Sequence, residues 1–238
     1  MQTPPTVEQL KQYYSSFYWS RSSRTSAVKN VVVQQDVHLR DPRALHQIDF
    51  VWPAIGSKPL QNVLEIGAGS ASSLLLLKHK CGEPAPALHV CEPGSQWEDH
   101  YRQHRVARIA DYFPFETAVS FDYIHTSHWL EHVSKLGETV GHLRDMLKPG
   151  GYVFVEVPNT EHDYWTQAIN DVPHIHFFTP RSLQRAFEVQ GLKCLKLEEA
   201  GITFNDHCKG IKPTAEDFGP REKGFWIRAL FIKESQQS

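Results

Sequence analysis

From residue 62 onward, short apolar runs alternate with amphipathic stretches, and the alternation predicts strands and helices in turn. NVLEI at 62–66 is apolar except for one Glu and ends in Gly-Ala-Gly, the pattern of a buried strand leaving its sheet through a tight turn. SASSLLLLKHK follows as a helix, with Gly82 to stop it. ALHVCEP at 87–93, RVARIAD at 105–111 and SFDYIHT at 120–126 are the next three predicted strands. A helix at about 134–147 is expected to end in KPGG, with GYVFVEVPN at 151–159 as the fifth strand. TPRSLQRAFEVQG at 179–191 carries its own punctuation: Thr179 as N-cap, Pro180 at the first helical position and Gly191 just past the end. LKCLKLEEA and FWIRALFIK supply two further strands. Seven strands, the first five alternating with helices, predict an α/β fold with a doubly wound, mostly parallel sheet covered on both faces.

The first 58 residues read differently. They are helical and aromatic, with Tyr13, Tyr14, Phe17, Tyr18 and Trp19 crowding one short stretch. A helix over about 42–55 has Asp41 as N-cap and Pro42 at its first position. This segment is expected to form a helical cap or lid over a core spanning 59–238. The stretch 203–224, between the last two strands, reads as an inserted loop, and long loops are usually functional or mobile.

Composition narrows the function classes. A net charge of −2 with 22% charged residues offers no electrostatic footprint for a nucleic-acid partner. The longest apolar run, LLLL at 74–77, is far too short to span a membrane, and the N-terminus lacks a charged start followed by an apolar run. Four scattered cysteines with no C-x-x-C argue against a zinc ribbon or a disulfide scaffold. The expectation is a cytoplasmic protein with a small-molecule partner.

In open α/β sheets, ligands sit beyond the carboxyl ends of the strands. Those ends carry Glu65 with Gly67 and Gly69, then Glu92, then Asp111, then His125 to His128. The turn E-I-G-A-G-S-A lacks the third Gly of the dinucleotide fingerprint, and no Gly-Lys-Ser/Thr follows to make a P-loop. Its glycines bring backbone close to a ligand, yet nothing is built for phosphate. Glu92, ending the second strand, suits a ribose diol. Asp111 could accept from an adenine amino group, with Tyr112 and Phe113 flanking the ring. A nucleoside without a phosphate requirement is the physical reading.

VLEIGAGSA (63–71), CEPG (91–94), ARIADYFPFE (107–116), SFDYIHTSHWLEHV (120–133), LKPGGYVFVEVPN (147–159) and HIHFFTPRSLQRAFEVQGL (174–192) occur in one order and spacing. Together they resemble the class I S-adenosylmethionine-dependent methyltransferases. The resemblance is to the small-molecule type, similar to ubiquinone-pathway enzymes and to bacterial glycan and natural-product methyltransferases. It implies a Rossmann-like sheet and S-adenosylmethionine as cofactor. It also implies that Glu65, Gly67 and Gly69 hold the methionine and ribose portions, Glu92 the ribose hydroxyls, and Asp111 with Tyr112 the adenine. Ala71 stands where the family often has a third Gly.

HWLEH at 128–132 spells the H-x-x-E-H of inverted zinc peptidases, a remote alternative because no downstream glutamate ligand is framed. The resemblance puts this segment after the fourth strand, beside the transferable methyl. Ubiquinone-type relatives bind a divalent cation through E-x-x-E-H here, so His128, Glu131 and His132 form a second, less favoured metal reading. No metal is expected. An acceptor hydroxyl is expected, with N- or C-methylation and a catalytically inactive cofactor-binding scaffold as alternatives. His128 is the first choice of general base, and His125, His174 and His176 are the alternates. His174 and His176 share one face of an extended segment and could instead order the start of the following helix.

Overall fold

The structure is a computed structural model that describes residues 6–13, 40–166 and 174–235. Helix α1 covers Val7–Gln12 and α2 covers Pro42–Ile55. They are followed by β1 (Asn62–Ile66), α3 (Ser72–Cys81), β2 (Ala87–Cys91), α4 (Glu98–His104), β3 (Val106–Ala110), β4 (Phe121–Ser127), α5 (Leu136–Met146) and β5 (Leu147–Pro158). The chain then forms α6 (Pro180–Glu188), β6 (Lys193–Thr203), α7 (Phe204–Cys208) and β7 (Gly224–Ile232). All seven strands join one sheet in the order β3-β2-β1-β4-β5-β7-β6, with β7 antiparallel to both neighbours and the other pairings parallel. The order reverses between β1 and β4, which creates the crevice where such sheets take ligands.

Two cores cover the two faces. On one, Ile48, Val51 and Ile55 of α2 pack with Leu74 and Leu77 of α3 over Val63, Val90 and Phe154. On the other, Val140 and Leu143 of α5 and Leu183 and Phe187 of α6 cover Leu64, Ile124, Val153 and Phe231. The predicted caps are present: the Asp41 carboxylate accepts from the backbone N–H of Arg43 and Ala44, and Thr179 forms a reciprocal capping box with Ser182.

Three expectations change. A helix, α4, lies between β2 and β3 where the sequence offered no apolar stripe, because Tyr101 and His100 are its main inward anchors. KPGG does not merely stop α5; it opens β5, which begins at Leu147. The 203–224 stretch is not structureless: it contains α7 and a 3₁₀ turn at Glu216–Phe218, pinned by aromatic packing among Phe204, His207 and Phe225. Of the N-terminal aromatic cluster, only Tyr13 falls within the described residues. Among those residues no helix is long and apolar enough to cross a membrane.

Candidate active site

The carboxyl ends of β1, β2, β3 and β4 open on a cavity of about 430 Å³. Gly67, Gly69, Glu92, Asp111, Tyr112 and His128 all line it. Glu65 lines instead a smaller adjoining chamber of about 160 Å³, which shares Arg43, Gly67 and Ser127 with the first. The residues expected to hold a nucleoside therefore lie around two spaces that share lining residues.

The turn after β1 is shaped by backbone. Gly67 sits at φ +70°, and a Cβ there would lie 3.2 Å from Cβ of Trp129, so the turn can pass under the indole only without a side chain. Ala71 also adopts a left-handed conformation, φ +54°, at a cost of about 1 kcal/mol. Helix α4 clamps the turn from outside. The Tyr101 hydroxyl donates to the carbonyl of Gly69, and His100 Nε2 lies 2.9 Å from the carbonyl of Ser70.

Glu92 is nearly fully buried and is held by two backbone donors, Gly69 N–H at 2.9 Å and Gly94 N–H at 2.8 Å. These bonds fix a carboxylate at the cavity wall. Asp111 is exposed at the rim, and Arg108 Nη2 engages one of its oxygens at 2.7 Å. Glu65 is buried, and its Oε2 has no hydrogen-bond partner among the described residues. Burial, with Asp41 and Glu92 nearby, pushes its carboxyl well above the usual carboxylate range. An orphaned buried acid beside a polar chamber fits a cofactor that brings its own cation.

His128 follows β4 at φ +52°, a conformation that a histidine adopts at a cost, and its N–H donates to the carbonyl of Glu156 at 2.8 Å. Its Nδ1 lies 3.3 Å from Glu131 Oε1, while Nε2 has no hydrogen-bond partner and stands 4.0 Å from Glu156 Oε1. Burial, and then the Arg43 cation, lower the imidazole below its ordinary pKa. Burial opposes ionisation of Glu131, but contact with His128 and His132 outweighs it and keeps the carboxyl below its ordinary value.

The other histidines separate into different environments. His125 is a core residue within β4: fully buried, stacked on Phe154 at 4.5 Å and hydrogen-bonded through Nδ1 to the Tyr123 hydroxyl at 2.8 Å. Burial drives it down to about 3, and it does not line the cavity, so its place as an alternate base is corrected. His174 and His176 also lie off the cavity wall. The backbone N–H groups of Ile175 and His176 both donate to the carbonyl of Glu131, at 2.8 and 3.0 Å, which docks this segment on the HWLEH turn. His132 and His174 rings are 4.8 Å apart, and the metal-compatible grouping is Glu131, His132 and His174, not the expected set with His128.

Sequence reasoning missed Arg43 and Glu156. Glu156 is fully buried in β5, and its Oε1 accepts from Arg43 Nε at 2.7 Å, Arg43 Nη2 at 2.5 Å, Gln47 Nε2 at 2.8 Å and Ser127 Oγ at 3.1 Å. Its Oε2 accepts from the fully buried Arg228. Glu156 is the one acid in an apolar strand and Arg228 the one cation in another, and those interruptions were the available signal.

A seven-stranded sheet in this order is the architecture of the class I S-adenosylmethionine-dependent methyltransferases. The chain belongs to the methyltransferase-domain family, which matches residues 37–197. It is similar in fold to the 1,6-didemethyltoxoflavin-N1-methyltransferase of Burkholderia thailandensis, solved with that compound and S-adenosylhomocysteine: TM-score 0.63, 12% identity, covering 99% of this chain and 94% of that one. It is also similar to the N-methyltransferase NodS of Bradyrhizobium japonicum WM9 in complex with S-adenosylhomocysteine: TM-score 0.52, 13% identity, covering 94% and 96%. A curated relative, the hybrid PKS-NRPS synthetase lepA of Aspergillus flavus, is 26% identical over 132 residues, which are 50% of this chain and 3% of that protein.

Proposed function

We propose that the protein methylates a small-molecule acceptor, with a hydroxyl as the reacting group and His128 as the base. The observation that carries the reading is the His128 imidazole on the cavity wall, with Glu131 Oε1 3.3 Å from its Nδ1. A carboxylate 3.3 Å from Nδ1 favours the N–H tautomer there, and Nε2 is buried 4.0 Å from Glu156 Oε1 without a hydrogen-bond partner, so it takes a proton only once an acceptor reaches it. Contacts of this kind are often long without substrate and tighten when it binds.

When bound, S-adenosylmethionine supplies an electrophilic methyl on a good leaving group. The protein's part is to hold that group and to aim the acceptor. Glu92 takes the ribose diol, the free oxygen of Asp111 takes the adenine amine, and Tyr112 flanks the ring. Trp129 and Phe113, in edge contact at 5.3 Å, exclude water from the wall opposite. In-line positioning supplies most of the acceleration, and a base adds about 10²–10⁴-fold for a hydroxyl.

A second reading is a heteroaromatic nitrogen acceptor, favoured by the names of the two N-methyltransferases of like fold. The likeness to part of a polyketide–peptide synthetase supports a natural-product acceptor for either. The test is a screen of metabolite extracts for methyl transfer from labelled cofactor, followed by product analysis. Acceptor-dependent S-adenosylhomocysteine with an O-methyl product is expected. An N-methyl product would favour the second reading, and no product with any acceptor would leave an inactive cofactor-binding scaffold.

A further inference from the structure

Asp111 stands just past the end of β3, at the cavity rim, with its side chain 62% exposed. A carboxylate that open samples several rotamers, and fixing one of them for a ligand costs entropy. Arg108, from the middle of β3, removes that freedom. Its side chain is only 16% exposed, Nη2 lies 2.7 Å from Asp111 Oδ1, and Nη1 pairs with Glu98, the first residue of α4. Among the described residues Asp111 Oδ2 makes no hydrogen bond or ion pair, so one oxygen is anchored and the other is open.

The pairing depends on an irregularity in the sheet. In a regular strand, positions 108 and 111 point to opposite faces. The register of β2 with β3 runs from Val90–Arg108 to Cys91–Ala110, so Ile109 is one residue extra. A bulge of this kind re-aims the side chains beyond it, and with the extra residue Arg108 and Asp111 meet. One guanidinium serves two acids, so Glu98, Arg108 and Asp111 together keep one net negative charge, and the rim retains an anionic acceptor. Arg108 is thus held by α4 on one side and holds Asp111 on the other, a use of the rigid guanidinium fork that a point charge could not copy. A fixed acceptor discriminates between purines. An exocyclic amino group donates to it, whereas a carbonyl oxygen at the same place repels it and leaves it unpaired.

We propose that Arg108, anchored by Glu98, is the positioning residue that aims Asp111, and that this relay makes the site selective for an amino-bearing purine over its oxo counterpart. This rests on the cofactor reading given above, in which Asp111 takes the adenine amine. Calorimetry on the full chain compares S-adenosylhomocysteine with S-inosylhomocysteine, in which a carbonyl replaces the amine. Wild type should bind the first about 10-fold or more tighter. Asp111→Ala should erase the preference. Arg108→Met should cut it to within about threefold, and Arg108→Met/Asp111→Ala should show the same ratio as Asp111→Ala alone, because one relay carries both effects. Arg108→Lys keeps the charge and the stem but cannot fork to two acids, so its ratio should fall between those of wild type and Arg108→Met. It carries the test should Arg108→Met lose its cooperative thermal transition. A purely structural role for Arg108 predicts equal weakening of both ligands. That result, the full wild-type preference in either Arg108 variant, or a wild type without preference overturns the assignment while sparing the cofactor reading. Failure of wild type to bind S-adenosylhomocysteine overturns both.

Discussion

His128 Nδ1 stands 3.3 Å from Glu131 Oε1, and the imidazole is presented from a left-handed backbone conformation at the exit of β4. The strain and the carboxylate together fix one ring orientation beside the cavity. His128→Ala should lower kcat by about 10² or more and leave S-adenosylhomocysteine affinity unchanged, because the proposed adenosine contacts, Glu92 and Asp111, follow other strands. Glu131→Gln should lower kcat by about tenfold through loss of the fixed tautomer. Steady-state kinetics with the acceptor from the extract screen check both. Near-wild-type turnover in His128→Ala would remove the base assignment.

The same pair sets a pH dependence. Burial and Arg43 both disfavour the imidazolium, so the free base persists to lower pH than in an ordinary histidine. The acid limb of the kcat profile should therefore turn at a pH below about 6.5, the ordinary imidazole value. A pH–rate series showing the inflection at or above that value would contradict the role of His128.

The fold was legible because most of its strands are predominantly apolar runs set off by turn residues, and every predicted strand is present within a few residues of its place. Asp41 and Thr179 were legible as caps for the same local reason: their side chains bond backbone two or three residues away. The acids that line the two cavities, Glu65, Glu92 and Asp111, were legible as polar exceptions at strand ends. Arg43 was not, because its partner Glu156 is 113 residues away, and no local pattern announces a pairing that the sheet creates. The histidines were only half legible. His125 and His128 stand three residues apart, and whether each faces core or cavity depends on the end of β4 and the left-handed turn beyond it.

His125 should make the fold acid-labile. Its folded-state value, about 3, lies below that of the unfolded chain, so the unfolded state binds the extra proton. Stability is unaffected above about pH 6.5 and falls as pH drops from there toward 3. Glu156, held below the ordinary carboxylate range by Arg43 and Arg228 despite its burial, adds a loss at the acid end of the same window. In urea titrations across that window, His125→Asn should reduce the slope of stability against pH by roughly one proton. An unchanged slope would place the acid sensitivity elsewhere.

Chelation should leave turnover intact. Glu131, the central member of the Glu131, His132 and His174 grouping, faces the His128 ring, and methyl transfer to a deprotonated hydroxyl needs no Lewis acid. Turnover after exhaustive chelator treatment is the check, alongside elemental analysis of the purified protein. Loss of activity restored by one specific divalent ion would show that the grouping works as a metal site.

The most direct test of the account is calorimetric titration of S-adenosylhomocysteine into wild type and Glu92→Ala. Glu92, the proposed partner of the ribose diol, is fixed at the cavity wall by the backbone N–H groups of Gly69 and Gly94. One-to-one binding is predicted for wild type, weakened by about 1.5–3 kcal/mol in Glu92→Ala as the charge-assisted bonds are lost. No binding to wild type, or the same affinity in both proteins, would contradict it.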